Sequence, residues 1–203
     1  MTQMFSESDS RHDGRVPQRL SDGPTTFGFI TVVEVPSLGH CGGLLIVSKI
    51  GRPIEFHCTA PVASNRAEEI MYGKTYQGFL YSDQIGMALV DKAKQKPTLF
   101  VIDCPDMLPI AELIDQPLIL PETLIAKAKP DTQTTVQDQP FDPRGLKHFS
   151  VAKDTVYCVN TKPELISSVQ AETERFVKSL PLDEPFERIR QAIDEAHAVV
   201  RAA

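Results

Sequence analysis

The sequence predicts an α+β protein: a mixed β-sheet whose first three strands are antiparallel, flanked by helices and closed by a C-terminal helical pair. Three observations predict it. Two continuous apolar runs, Gly43 to Ser48 and Thr98 to Ile102, have the composition of central strands covered on both faces. Pro53 to Thr59 alternates strictly, with Ile54, Phe56 and Cys58 on one side and Glu55, His57 and Thr59 on the other, the period of a half-exposed strand. Phe186, Ile189, Ile193, Ala196 and Val200 recur at spacings of three and four, which lays one apolar stripe along a helix.

Residues 1–26 carry Ser, Asp, Gln, Arg and Pro with few large apolar side chains, so they are read as a disordered tail. The core begins with Phe27 to Val35, rich in β-branched and aromatic residues, and extends over residues 27–128. Ile50-Gly51-Arg52 turns the second strand into the third as a hairpin, leaving the third at an edge. Asn65 is placed to cap a helix, with Glu68 three residues later as in a capping box, Ala67, Ile70 and Met71 as its apolar face and Gly73 as its end. Tyr76, Phe79 and Leu80 fit a short helical turn, and Ser82 or Asp83 can cap a further helix carrying Ile85, Ala88 and Leu89. After the strand at 98–102, Pro105 and Pro109 are expected to stop regular structure; Ala111 to Leu120 stays ambiguous.

Residues 129–142, KPDTQTTVQDQPFD, read as a linker or exposed loop. Residues 143–203 then hold a hairpin, Phe149 to Ala152 and Thr155 to Val159, and two helices packed on the same core. Thr161 and Glu164 form a T-x-x-E box with Pro163 in the first turn. Leu165, Ile166, Val169, Phe176, Val177 and Leu180 supply the first helix's stripe, and Pro181 and Pro185 bracket the break before the second.

Lys and Arg number 21 against 27 Asp and Glu, a formal charge of −6, and no basic cluster offsets it. Such a chain repels a phosphate backbone, so the charge disfavours nucleic acid as a partner. No run approaches the length of a membrane span, and the N-terminus has no apolar signal region. The four cysteines, Cys41, Cys58, Cys104 and Cys158, form no C-x-x-C pair and read as reduced, mostly buried thiols; with no signal region, the expected location is cytoplasmic.

Four stretches carry a resemblance: Glu34 to Leu45 (EVPSLGHCGGLL), Gly51 to Phe56 (GRPIEF), Ser64 to Glu69 (SNRAEE) and Phe100 to Asp103 (FVID). Over residues 27–103 the chain resembles the ribonuclease H-like superfamily, with its glycine-containing first hairpin, Gly-Arg at the third strand, Asn-Arg at the helix start and an acidic residue closing the fourth strand. The resemblance implies carboxylates from the first strand, the helix and the fourth strand around divalent metal, here Glu34, Glu68 and Asp103, cutting phosphodiesters with Mg or Mn. Glu34 stands where that family has aspartate, and its last acidic residue has no counterpart, although Asp106 is close by. Residues 43–90 also resemble a group of uncharacterised bacterial proteins, which implies no activity.

Other chemistry is weaker. His40-Cys41 and His57-Cys58 on neighbouring strands offer zinc-type ligands, but adjacent strand residues point to opposite faces. Cys104 at a strand end is a candidate nucleophile with His57 or His148 as base. Gly39, Gly42 and Gly43 precede a strand rather than a helix and make no phosphate loop. With no catalytic set complete, the leading expectation is a non-catalytic interaction or regulatory module without cofactor, meeting a protein partner or itself through the C-terminal helices. The alternative is the divalent-metal-dependent nuclease.

Overall fold

Among the described residues seven strands form one mixed sheet: β1 (Thr26–Val35), β2 (Gly39–Ser48), β3 (Pro53–Cys58), β4 (Leu99–Ile102), β5 (Leu118–Pro121), β6 (Lys147–Val151) and β7 (Asp154–Val159). The computed structural model of the chain describes Leu20, residues 23–127 and residues 141–201. The predicted tail, 1–26, lies almost wholly outside the described residues, as does most of the predicted linker, 129–142. The strand order is β3-β2-β1-β4-β5-β7-β6. β1, β2 and β3 are an antiparallel meander, β4 and β5 run parallel to β1, and the β6–β7 hairpin joins antiparallel through β7. The expected α+β class, mixed sheet and C-terminal helices are all present.

Each sheet face carries its own core. On the first face Phe27, Phe29, Leu45, Leu99 and Val101 meet α5 (Ile166–Val177) and α6 (Glu184–Arg201) through Phe176, Phe186, Ile189 and Ile193. On the second face Ile30, Leu44, Ile46, Phe100 and Ile102 meet Leu80, Ile85, Leu89, Met107 and Ile110 from the central helical segments. Alternation along each strand divides the side chains between the two. β2 is the thinnest point. A Cβ at Gly42 would lie 2.2 Å from Ile85 Cγ2, and one at Gly43 2.2 Å from Ile189 Cγ2. Glycine there lets a helix close on each face of the same strand.

Several local expectations are corrected. β2 starts at Gly39 rather than Gly43, because the turn closes early with Leu38 N–H donating to the Val35 carbonyl at 3.0 Å. α1 (Arg66–Tyr72) is capped as expected, Asn65 Oδ1 accepting from Ala67 N–H at 3.0 Å. Its predicted apolar face nevertheless points outward: Ile70 is 68% and Met71 83% exposed. Glu68 accepts from Gln84 Nε2 instead of completing a box.

Ser82 caps nothing. Residues 73–92 run without interruption through a 3₁₀ turn, α2 (Tyr76–Phe79), a π segment (Leu80–Gly86) and α3 (Met87–Lys92), and the Ser82 hydroxyl donates to the Met107 carbonyl. Pro105 opens, rather than prevents, a 3₁₀ segment, Pro105–Glu112, since a first-turn proline has no hydrogen bond to lose. α4 (Glu122–Lys127) follows β5. Thr161 turns its hydroxyl to the Val159 carbonyl, so the 3₁₀ turn Pro163–Leu165 that leads into α5 starts without a side-chain cap.

Glu55 ties the edge strand to the end of α3. It accepts from the Lys94 and Gln95 amides at 2.9 and 3.0 Å and contacts His57 at 2.6 Å. The Lys94 amide above all, then His57, pulls its carboxyl from the ordinary 4.5 down to about 2. A depressed carboxyl stabilises the fold above its unfolded pKa, and the contribution is lost as pH falls through its folded pKa. Wild type is therefore expected to exceed Glu55→Gln in stability at neutral pH. The gap should shrink below about pH 4.5 and close near pH 2, as read from urea unfolding at stepped pH. A gap that persisted at the lowest pH would exclude this linkage.

Candidate functional site

The carboxyl end of β4 lies beside the middle of β1, Ile102 opposite Ile30, where the antiparallel meander gives way to parallel strands. Ligand sites in open α/β sheets lie outside such strand ends. The groups there are divided by the sheet into two sets.

On the α5/α6 face stands Asp103, 5% exposed. Its register follows from Phe27 opposite Leu99 and Phe29 opposite Val101, which puts Thr31 beside it. The Thr31 hydroxyl donates to Asp103 Oδ2 at 2.7 Å, and Arg190 Nη2 from α6 donates to the same oxygen. The Arg190 guanidinium also lies over the Phe186 ring, 5.9 Å from its centre. Burial pushes the Asp103 carboxyl up, and the Thr31 hydrogen bond and Arg190 charge oppose that rise.

On the other face lie Glu34, His40, Tyr81, Cys104 and Asp106. Glu34 is exposed, alternates with Ile30 and Val32, and pairs in register with His40. The His40 and Tyr81 rings are 5.4 Å apart. Burial lowers the His40 pKa, with Glu34 opposing, and His40 Nδ1 has no hydrogen-bond partner among the described residues. The Tyr81 hydroxyl is pushed up by burial first, then by the neighbouring Cys104, Asp106 and Glu34.

The structure does not bring the predicted carboxylates together. Glu34 and Glu68 lie on the second face, Glu68 bonded to Gln84 there, and Asp103 on the first. Among the described residues no group of three or more His, Cys, Asp or Glu side chains is arranged to hold a metal ion. The arrangement present therefore does not fit the divalent metal that the resemblance implies. The His-Cys dipeptides likewise belong to no such group among the described residues. Cys104 is held as a thiol, its pKa raised well above the ordinary value by burial and by Asp103 and Asp106. Its suggested bases are elsewhere, His57 on edge strand β3 against Glu55 and His148 on the opposite edge strand β6. A separate open groove of about 930 Å³, lined by Ile114, Asp115, Val159, Asn160 and Lys162 among others, lies at the amino end of β5 and holds none of the predicted residues.

Sequence reasoning missed Thr31 and Arg190. Thr31 looked like an ordinary strand residue, and Arg190 lies 87 positions from Asp103. The position of Arg190 one residue after Ile189 on the stripe was the only local signal.

No family model matches the chain, and no curated protein does. Among solved structures it is similar to the crystal structure of human endonuclease V (ENDOV), at 14% identity and a TM-score of 0.42, covering 87% of each chain. At that level no residue role passes from one to the other. The expectation of a non-catalytic interaction or regulatory module is corrected here. It drew on the lack of a complete catalytic set and on helical stripes that could cover either a partner or the chain's own sheet; Phe176, Phe186, Ile189 and Ile193 are fully buried against that sheet. Among the described residues no helix is long and apolar enough to cross a membrane.

Proposed function

We propose that this chain is a nuclease of ribonuclease H-like type, acting on nucleic-acid phosphodiesters at the carboxyl end of β4 beside β1. One observation carries the reading: Asp103 is a buried carboxylate at the end of the central parallel strand, paired to an arginine whose side chain is 44% exposed. The element order supports it, because a three-stranded meander followed by a helix and a fourth strand closing on an acidic residue is the arrangement that the resemblance over residues 27–103 implies.

In the reaction, a water oxygen forms a bond to phosphorus and the phosphodiester P–O bond breaks. Asp103 orients that water and takes its proton, and the leaving oxygen is protonated from solvent. Arg190 has five N–H donors, enough to hold Asp103 and to meet non-bridging phosphate oxygens as charge grows there. Glu34 and Glu68, across the sheet, take no part. Because the net charge of −6 repels an extended duplex, short single strands are the first substrates to assay.

The experiment is cleavage of end-labelled single-stranded RNA and DNA by purified wild type and Asp103→Asn, each with Mg²⁺, with Mn²⁺ and with chelator. Wild type should cut at least one substrate, and Asp103→Asn should lose about a hundredfold or more. No cutting under any condition, or equal cutting by both proteins, overturns the proposal.

A further inference from the structure

A carboxylate at the end of a central strand needs a positive charge beside it, since burying it alone is costly. Here the chain supplies that charge itself. We infer that Arg190 occupies, from within the chain, the place a divalent cation would take at Asp103, so that Asp103 is closed to metal. The inference rests on the nuclease reading only for the location of the site.

Three observations carry it. Asp103 Oδ2 already accepts from both Thr31 and Arg190, so the carboxylate cannot offer that oxygen to a cation without giving up a bond. Mg²⁺ and Mn²⁺ favour about six oxygen ligands, and the remaining predicted carboxylates are on the other side of the sheet. Arg190 is also held in place rather than loosely tethered. The buried Phe186, Ile189 and Ile193 seat α6 on the sheet, and Arg188 pins the same turn by donating from Nη1 to the Gly51 carbonyl at 2.9 Å and from Nε to Glu184 at 2.8 Å. A guanidinium fixed in contact with the carboxylate repels any second cation that approaches it.

The test follows the amide resonances of the whole chain during titration with Mn²⁺ to millimolar concentration, without nucleic acid. In wild type the Thr31, Asp103 and Arg190 cross-peaks are expected to survive. In Arg190→Gln the Thr31 and Asp103 cross-peaks should be lost to paramagnetic broadening, and in the Asp103→Asn/Arg190→Gln double variant they should return. Loss of these cross-peaks in wild type, absent in Asp103→Asn, overturns the inference. So does their survival in folded Arg190→Gln, which would mean that no cation site was there to fill. Should Arg190→Gln not fold, the wild-type comparison still decides, and Arg190→Lys, which keeps the charge, is expected to behave as wild type. Asp103-dependent cleavage that vanished with chelator would sink this inference and leave the nuclease standing. The expected Mn²⁺ result without any cleavage would remove the nuclease reading alone.

Discussion

Phe29→Ala is expected to destabilise the fold by about 3–5 kcal/mol, the usual cost of emptying a buried phenylalanine site. Phe29 is fully buried on β1, the strand that joins the meander to the parallel strands by pairing with both β2 and β4. Its ring is 5.5 Å from Phe176 on α5, 5.2 Å from Phe186 on α6 and 6.5 Å from Phe27. Truncation leaves a cavity where both C-terminal helices dock, and a close-packed interior relaxes into such a space only in part. Against a total stability on the order of 5–15 kcal/mol, this loss is large. The check is a shift of the urea midpoint with the slope unchanged. Phe56→Ala is the control, since Phe56 is 40% exposed on edge strand β3 and should cost far less. Equal losses at the two positions would mean that α5 and α6 do not rest on β1.

Arg190→Ala is expected to cost about 3 kcal/mol, the lower end of the range for breaking one side of a buried pair. The lower end applies because Asp103 is 7% exposed at its side chain but Arg190 is 44% exposed, so water recovers part of the lost interaction. Most of the penalty is the carboxylate left behind. Asp103→Asn/Arg190→Ala should therefore be more stable than Arg190→Ala alone, the amide carrying no charge to strand. A double-mutant cycle by urea unfolding measures this. Additive losses would show that the pair does not interact in solution.

These two positions mark the limits of what was legible beforehand. The strands at 27–35, 43–48, 53–59 and 98–102 and the stripe of α6 were readable because each depends on local periodicity, and a continuous apolar run or a period of two survives any change of context. Asn65 as a cap was readable for the same reason: the hydrogen bond it makes spans two residues.

Where the carboxylates point was another matter. Alternation along β1 separates Glu34 from Thr31, and alternation along β4 separates Asp103 from Cys104. Which set on one strand shares a face with which on the other is decided by the register of a parallel pair joined across 72 residues. The sequence offered Glu34 and Asp103 as companions, whereas the register made Thr31 the neighbour of Asp103.

The α6 stripe likewise has the same composition whether it meets a partner or the chain's own sheet. The glycines at 42 and 43, which admit helices to both faces of β2, decide for the sheet. α1 shows the converse, an apolar face written in the sequence that the packing leaves in solvent at Ile70 and Met71. By itself, then, the sequence determined most of the strands and the C-terminal helices, because those choices are made within a few residues, but not the stretch from Pro105 to Lys127. Only the tertiary structure decided which charges meet, because the Asp103–Arg190 contact requires α6 to be seated on the finished sheet.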